Sequence, residues 1–322
     1  MSYQDVRALN CISSILTNHG ASKQPGDTLW HYTAAPGLDA MLTNQSIRAT
    51  HYTCFNDRME VILGYSLMIK AAHQRRWDGS GVASDIVNLL DRIEFLCKGE
   101  VTPALKRWPH GFPESYINDT YEYYIACFSE AGDDVSQWTN YSGGEGGYAL
   151  GFDPKLLRRP FDLPRYTEVY FVPVVYNEDE QSRLIGLYLD AMINAYRKSA
   201  ETDLEFDDAF FNHHAYKWLT AFSALASIFK HKSFLTEKEW RLILCFSPHD
   251  RSQMTEKLEF TPKTSLFARH YPTTFRRYPI RKIKIGPSRF QDASKRSIEF
   301  KLTKAKLGCE VEMSDSTYQT AR

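Results

Sequence analysis

The residues whose types could do chemistry fall in six short stretches. "LWHYT" (29–33) reads as a strand with His31 and Thr33 on one face and Trp30 and Tyr32 on the other. "TCFNDRMEV" (53–61) sets Asn56 and Asp57 at an expected helix start, with Glu60 in its first turn; capping and the helix dipole account for all three. "CFSE" (127–130) puts Ser129 and Glu130 at a strand end, and "SQWTNY" (136–141) supplies Gln137, Trp138 and Tyr141 for stacking or packing. "GGEGGYALG" (143–151) ends in a strand that Tyr148 opens, and "FLTEKEWRLIL" (234–244) surrounds Trp240 with charge before turning apolar.

The last stretch poses the sharpest question. If residues 239–246 are extended, Trp240, Leu242, Leu244 and Phe246 share one apolar face. Glu239, Arg241, Ile243 and Cys245 share the other, which begins with two opposite charges and then becomes apolar. A strand buried on both faces is apolar on both. The charges therefore mark either the opening of a cleft or an exposed ion pair at a strand end, which is common and weak.

Other chemistries find less footing. Gly144, Gly146 and Ala149 mimic part of a dinucleotide-binding fingerprint, but here the loop follows a helical turn and opens a strand, the reverse of the required context. The glycines read as a turn. A metal-dependent hydrolase or nuclease built on His31, Asp57, Glu60 and Glu239 has no tight ligand spacing behind it. The six cysteines are scattered without a C-x-x-C pair and read as reduced thiols. The first residues carry no apolar signal region and no run approaches the length of a membrane span, so a cytoplasmic chain without membrane contact is expected.

At 322 residues, with 39 basic against 39 acidic side chains and 43% hydrophobic residues, the chain can bury a sizeable core and has no global field for polyanions. Strands are expected at 29–33, 46–50, 121–130, 148–153, 166–177, 239–246, 279–287 and in "CEVEM". Helices are expected at 3–18, 36–45, 57–77, 83–98, 180–198, 204–229 and in "DASKRSIEFKLTKAK". Strands recur throughout with helices between them. This pattern predicts one α+β domain over 1–322, with helical insertions at 57–118 and 180–229.

Taken in order, "LWHYT", "CFNDRMEV", "IACFSE…SQWTNY…GGYALGFD", "EKEWRLI" and "IRKIKIGP…GCEVEMS" resemble the bacterial domain-of-unknown-function family numbered 2971, from residue 29 to about 316. A looser resemblance is to ADP-ribosyltransferases. Their split β-sheet carries a His on an early strand, a Tyr or Ser motif in the middle and a catalytic Glu at the start of a late strand. His31, Tyr148 or Ser129, and Glu239 stand in that order.

That resemblance implies a split or mixed β-sheet core and an NAD-consuming transferase, a toxin or a defence effector. Glu239 would stabilise the oxocarbenium-like charge on the ribose. His31 would orient the ribose, with Tyr32, Thr33, Asn56, Ser129, Trp138 and Tyr148 around the dinucleotide. Arg241 would pair a pyrophosphate or hold Glu239 ionised; Lys230 and Lys232 could do either, and Glu237 is the fallback carboxylate. The acceptor is open, protein or nucleic acid. Residues 276–306, with eleven Lys/Arg against two acids, could form a nucleic-acid face or a solvated surface. A non-enzymatic recognition module is the remaining alternative.

Overall fold

One long strand organises the sheet. In the computed structural model, which describes residues 3–54, 59–77, 91, 121–143, 146–200, 218–263 and 266–316, β3 (Glu122–Ser129) pairs along its whole length with β7 (Glu239–Phe246), and β7 pairs with β6 (Glu168–Pro173). The opposite flank of β3 is shared. Its Ser129 end meets β1 (Leu29–Thr33) through Trp30↔Ser129, and its other half meets β2 (Ser46–His51) through Thr50↔Ile125 and His51↔Tyr124.

The sheet therefore forks. β1 leads to β4 (Tyr148–Phe152), β10 (Ile280–Ile285) and β11 (Glu310–Met313). β2 leads to β9 (Leu266–Phe275), which β5 (Pro160–Phe161) and β8 (Glu259–Lys263) flank. Among the named strands only β10 and β11 run parallel. The architecture is an α+β arrangement with an open, mixed sheet.

Both faces of β7 are covered, which is why all eight of its residues are buried. On one face α1 (Tyr3–Ala21), α3 (Met59–Trp77), α6 (Glu178–Ala200) and the helix at 218–226, here α7, press Ile12, Leu16, Met68, Leu189 and Phe222 onto Tyr123, Ile125, Tyr170 and Ile243. In α1 the buried positions 8, 9, 12, 15 and 16 form the stripe that 3.6-residue periodicity requires. On the other face α2 (Ala35–Asn44), α8 (Arg251–Lys257) and α9 (Gln291–Ala305) place Leu38, Leu42, Met254, Ile298 and Leu302 against Phe128, Leu150, Leu242 and Leu244. Much of the expected 180–229 insertion thus forms the lid of one core layer.

Two short helices complete the frame. α4 (Val135–Tyr141) lays Trp138 on Trp30 and Tyr32, and α5 (Pro154–Leu157) follows β4. Asp134 caps α4 by accepting from the Gln137 backbone N–H at 3.1 Å. Asp134→Ala is expected to cost about 1 kcal/mol, read as a lower thermal midpoint with an unchanged folded spectrum.

The expected elements are present with small boundary shifts where they fall on described residues; the helix expected at 83–98 lies outside them apart from residue 91. The β8–β9 hairpin was not expected. Pro262 and Pro272 interrupt its sequence and disguise it as loop. Among the described residues, no helix is long and apolar enough to cross a membrane.

Candidate functional site

The chain enters β7 through a constrained corner. After α7, the Lys230 backbone N–H donates to the Val175 carbonyl, and Lys232–Glu237 form a 3₁₀ turn. Lys238 then takes a left-handed conformation, φ 43°, so the chain reverses into β7. The Ser129 hydroxyl donates to the Glu237 carbonyl at 2.6 Å, and the Glu130 N–H donates to the Lys238 carbonyl, tying the corner to the end of β3.

This corner gathers four charges. Arg241 grips Glu239 with two parallel bonds, Nε to Oε1 at 2.7 Å and Nη2 to Oε2 at 3.0 Å. Lys230 Nζ sits 3.1 Å from Glu239 Oε2 and 2.5 Å from Glu237 Oε2. Arg241 also donates to the Ser227 carbonyl, and the Tyr176 hydroxyl accepts from the Glu239 N–H at 3.0 Å. All four side chains are buried, Arg241 at 1% exposure.

Burial alone would raise the Glu239 pKa. The adjacent Arg241 and Lys230 charges outweigh it and hold the carboxyl down to about 2. Two cations and two carboxylates make the cluster neutral as a unit, the condition under which buried charge is tolerated. Tyr141, at the end of α4, lies within electrostatic reach of Glu237, Lys230 and Glu239 and is itself 42% exposed, so it forms the outer wall. Burial raises its hydroxyl pKa to about 12, leaving it a neutral donor at pH 7.

The register sorts the expected site residues onto two faces. Ser129 pairs with Trp30 on one flank and Glu239 on the other, so Tyr32, Ser129, Glu239 and Arg241 share a face, with Trp138 packed on it edge-on against Tyr32 at 4.7 Å between rings. His31, Thr33 and Tyr148 belong to the other face: His31 pairs with Leu150, Thr33 with Tyr148, and Tyr148 packs into the α2 side of the core.

The expectation that Glu239, Arg241 and His31 line one cleft is thereby corrected. His31 Nδ1 lies 2.9 Å from the Cys127 carbonyl, its ring leans on Phe128, and with Thr33, Gly37, Met41 and Arg48 it lines a separate cavity of about 180 Å³. Burial lowers its pKa, so the ring is neutral at pH 7. Ser129 is spent on the Glu237 carbonyl and the Ala131 N–H. Lys232 reaches the surface, pairing with Glu178 at 3.2 Å. Asn56 and Asp57 lie outside the described residues.

The glycine stretch is the expected turn. Gly143, Gly146 and Gly147 have φ between 81° and 89°, and a Cβ on Gly147 would meet the Ser142 side chain at 2.3 Å.

Residues 137–242 match the family model described as protein of unknown function (DUF2971). The match covers about a third of the 322-residue chain. The matched segment begins on α4 and ends within β7, so it contains Tyr141, Tyr176, Lys230, Glu237, Glu239 and Arg241, the whole charged corner, while His31 lies outside it. No curated protein and no solved structure matches the chain.

Among the described residues, no three His, Cys, Asp or Glu side chains gather where a metal ion could be held, which leaves the metal-dependent alternative without support there. The basic tract 276–306 is partly neutralised: Lys282 pairs with Glu310 and Glu312, Lys284 with Glu312, and Lys301 with Asp39. Glu237 and Lys230 stood only at the margin of the sequence reading, and Tyr176 outside it. Tyr176 is remote in sequence, while Lys230 and Glu237 reach Glu239 only because the 3₁₀ turn and Lys238 reverse the chain, which local periodicity does not show.

Proposed function

We propose that the chain is an NAD-consuming enzyme of the ADP-ribosyltransferase type that acts through Glu239. The observation that carries this reading is an ionised carboxylate, buried at the start of β7 and held charged by Arg241 and Lys230. Cleavage of the nicotinamide–ribose bond develops positive charge on the ribose. A fixed anion in a water-poor setting stabilises that charge more than one in bulk water and needs no reorganisation during the reaction.

The half-exposed Tyr141 ring offers a stacking surface and a hydroxyl beside the carboxylate, and Tyr176 supports Glu239 from the backbone side. Lys238 and Lys232, the latter paired with Glu178, are exposed beside the corner and would meet a pyrophosphate. In this reading His31 does not touch the ribose; it braces β1 on β3 from the far face.

The test is incubation of the protein with NAD, with nicotinamide quantified by chromatography. Release by the parent and its loss in Glu239→Gln support the reading. Equal release by both, or no release above the blank, overturns it. A protein or nucleic-acid acceptor is tested by adding each in turn. If nucleic acid takes part through 276–306, affinity is expected to fall steeply as salt rises, and a flat response removes it.

A further inference from the structure

The fork in the sheet leaves a gap that the charged corner does not use. β1 meets β3 at Trp30↔Ser129, and β2 meets it at Thr50↔Ile125 and His51↔Tyr124. Between these points, among the described residues, no strand pairs with 126–128 on that flank of β3. A carbonyl in such a gap needs a donor from elsewhere. His31 supplies one, with Nδ1 2.9 Å from the Cys127 carbonyl oxygen. A carbonyl only accepts, so Nδ1 carries the ring proton and Nε2 is left as an acceptor. Among the described residues nothing donates to Nε2, and burial keeps the ring neutral at pH 7.

The ring borders the cavity of about 180 Å³ between the two arms of the fork, with α2 against it. Thr33 lies two residues further on β1, on the same face. A Cβ on Gly37 would stand 2.0 Å from Thr33 Oγ1, so only glycine at this position of α2 leaves room for the hydroxyl. Arg48 borders the cavity from β2. Its Nε donates to Glu259 Oε2 at 2.6 Å, and its two terminal nitrogens bond to none of the described residues.

We propose that this cavity binds a small neutral carboxamide, whose N–H donates to His31 Nε2 and whose carbonyl oxygen accepts from Arg48 and Thr33, with its apolar body on Ala40 and Met41. The polar groups set the complement. His31 Nε2 can only accept and Arg48 can only donate, so the ligand must carry a donor and an acceptor side by side, as a primary amide does. Glu259 already matches the Arg48 charge, and His31 carries none, so an anionic ligand would find no net counter-charge. The size fits as well: a cavity of about 150 Å³ holds one benzene, so this one takes a molecule of about six to eight heavy atoms. The cavity lies on the face of the sheet away from Glu239, so its ligand is independent of any chemistry on NAD.

The experiment is titration of the native full-length protein at pH 7 with isobutyramide, with its carboxylate counterpart isobutyrate, and with glycerol, followed through assigned backbone amide resonances. Isobutyramide is expected to shift the amides of 31–48 saturably and to bind about tenfold or more tighter than isobutyrate, which has no N–H to offer His31. Thr33→Val removes the hydroxyl at nearly constant shape and is expected to weaken isobutyramide about three- to tenfold, the loss of one neutral hydrogen bond. Arg48→Met removes a charged donor and is expected to cost about ten- to a hundredfold. Circular dichroism checks that each variant is folded, and the three titrations of the parent decide alone if neither is. Isobutyrate or glycerol binding as tightly as isobutyramide, no saturable shift within 31–48, or unchanged affinity in both folded variants overturns the proposal.

Discussion

Glu239→Gln is expected to lower nicotinamide release from NAD by about 10²–10³-fold, the loss seen when one electrostatic contact to a developing charge is removed. Gln keeps the shape and one acceptor oxygen but carries no charge, so the ribose cation loses its counter-ion. The substitution also acts on the fold. Arg241 and Lys230 would remain buried with Glu237 as the nearest anion, so the variant is expected to melt lower than the parent. Activity must therefore be normalised to the folded fraction, measured by circular dichroism at the assay temperature. Glu237→Gln breaks the Lys230 contact but leaves the Arg241–Glu239 pair, so its effect on turnover is expected to be smaller. A Glu239→Gln protein that is folded and fully active ends the proposed role.

Arg241→Ala is expected to destabilise the protein by about 3–5 kcal/mol, because it strands the two carboxylates with Lys230 alone and takes a donor from the Ser227 carbonyl. Urea unfolding should show the loss as a lower midpoint with an unchanged slope. An unchanged midpoint would mean that the cluster is solvated in solution. The acid response has a definite sign. The folded Glu239 pKa, about 2, lies below its ordinary value of 4.5. Its stabilisation is complete above pH 4.5 and is lost as pH falls toward 2. In Glu239→Gln that part of the acid dependence disappears.

The alternation in "EWRLIL" located a polar start to a strand buried on both faces, and the structure places Glu239 and Arg241 at that point. Two readings were open there, a cleft mouth and an exposed ion pair. The burial of Glu239 and Arg241 in a network with Lys230 and Glu237 overturns the exposed ion pair. The missing information was the path of 218–238, since Lys230 reaches the carboxylates only after the helix end and the left-handed Lys238 have turned the chain.

His31 shows the opposite limit. Its strand was legible in "LWHYT", and so was its face within that strand. The register between strands was not: pairing Trp30 with Ser129, and Ser129 with Glu239, sends His31 away from the carboxylate. A one-residue slip would reverse that outcome, and nothing local to "LWHYT" chooses between the two registers.

By itself the sequence determined the elements: where apolar periodicity of 2 or 3.6 is strong, the burial of one face dictates strand or helix locally. The tertiary structure decided which charges meet. Strand register, the fork beside β3 and the turn at Lys238 depend on contacts between residues far apart in the chain, and local periodicity carries no record of those contacts.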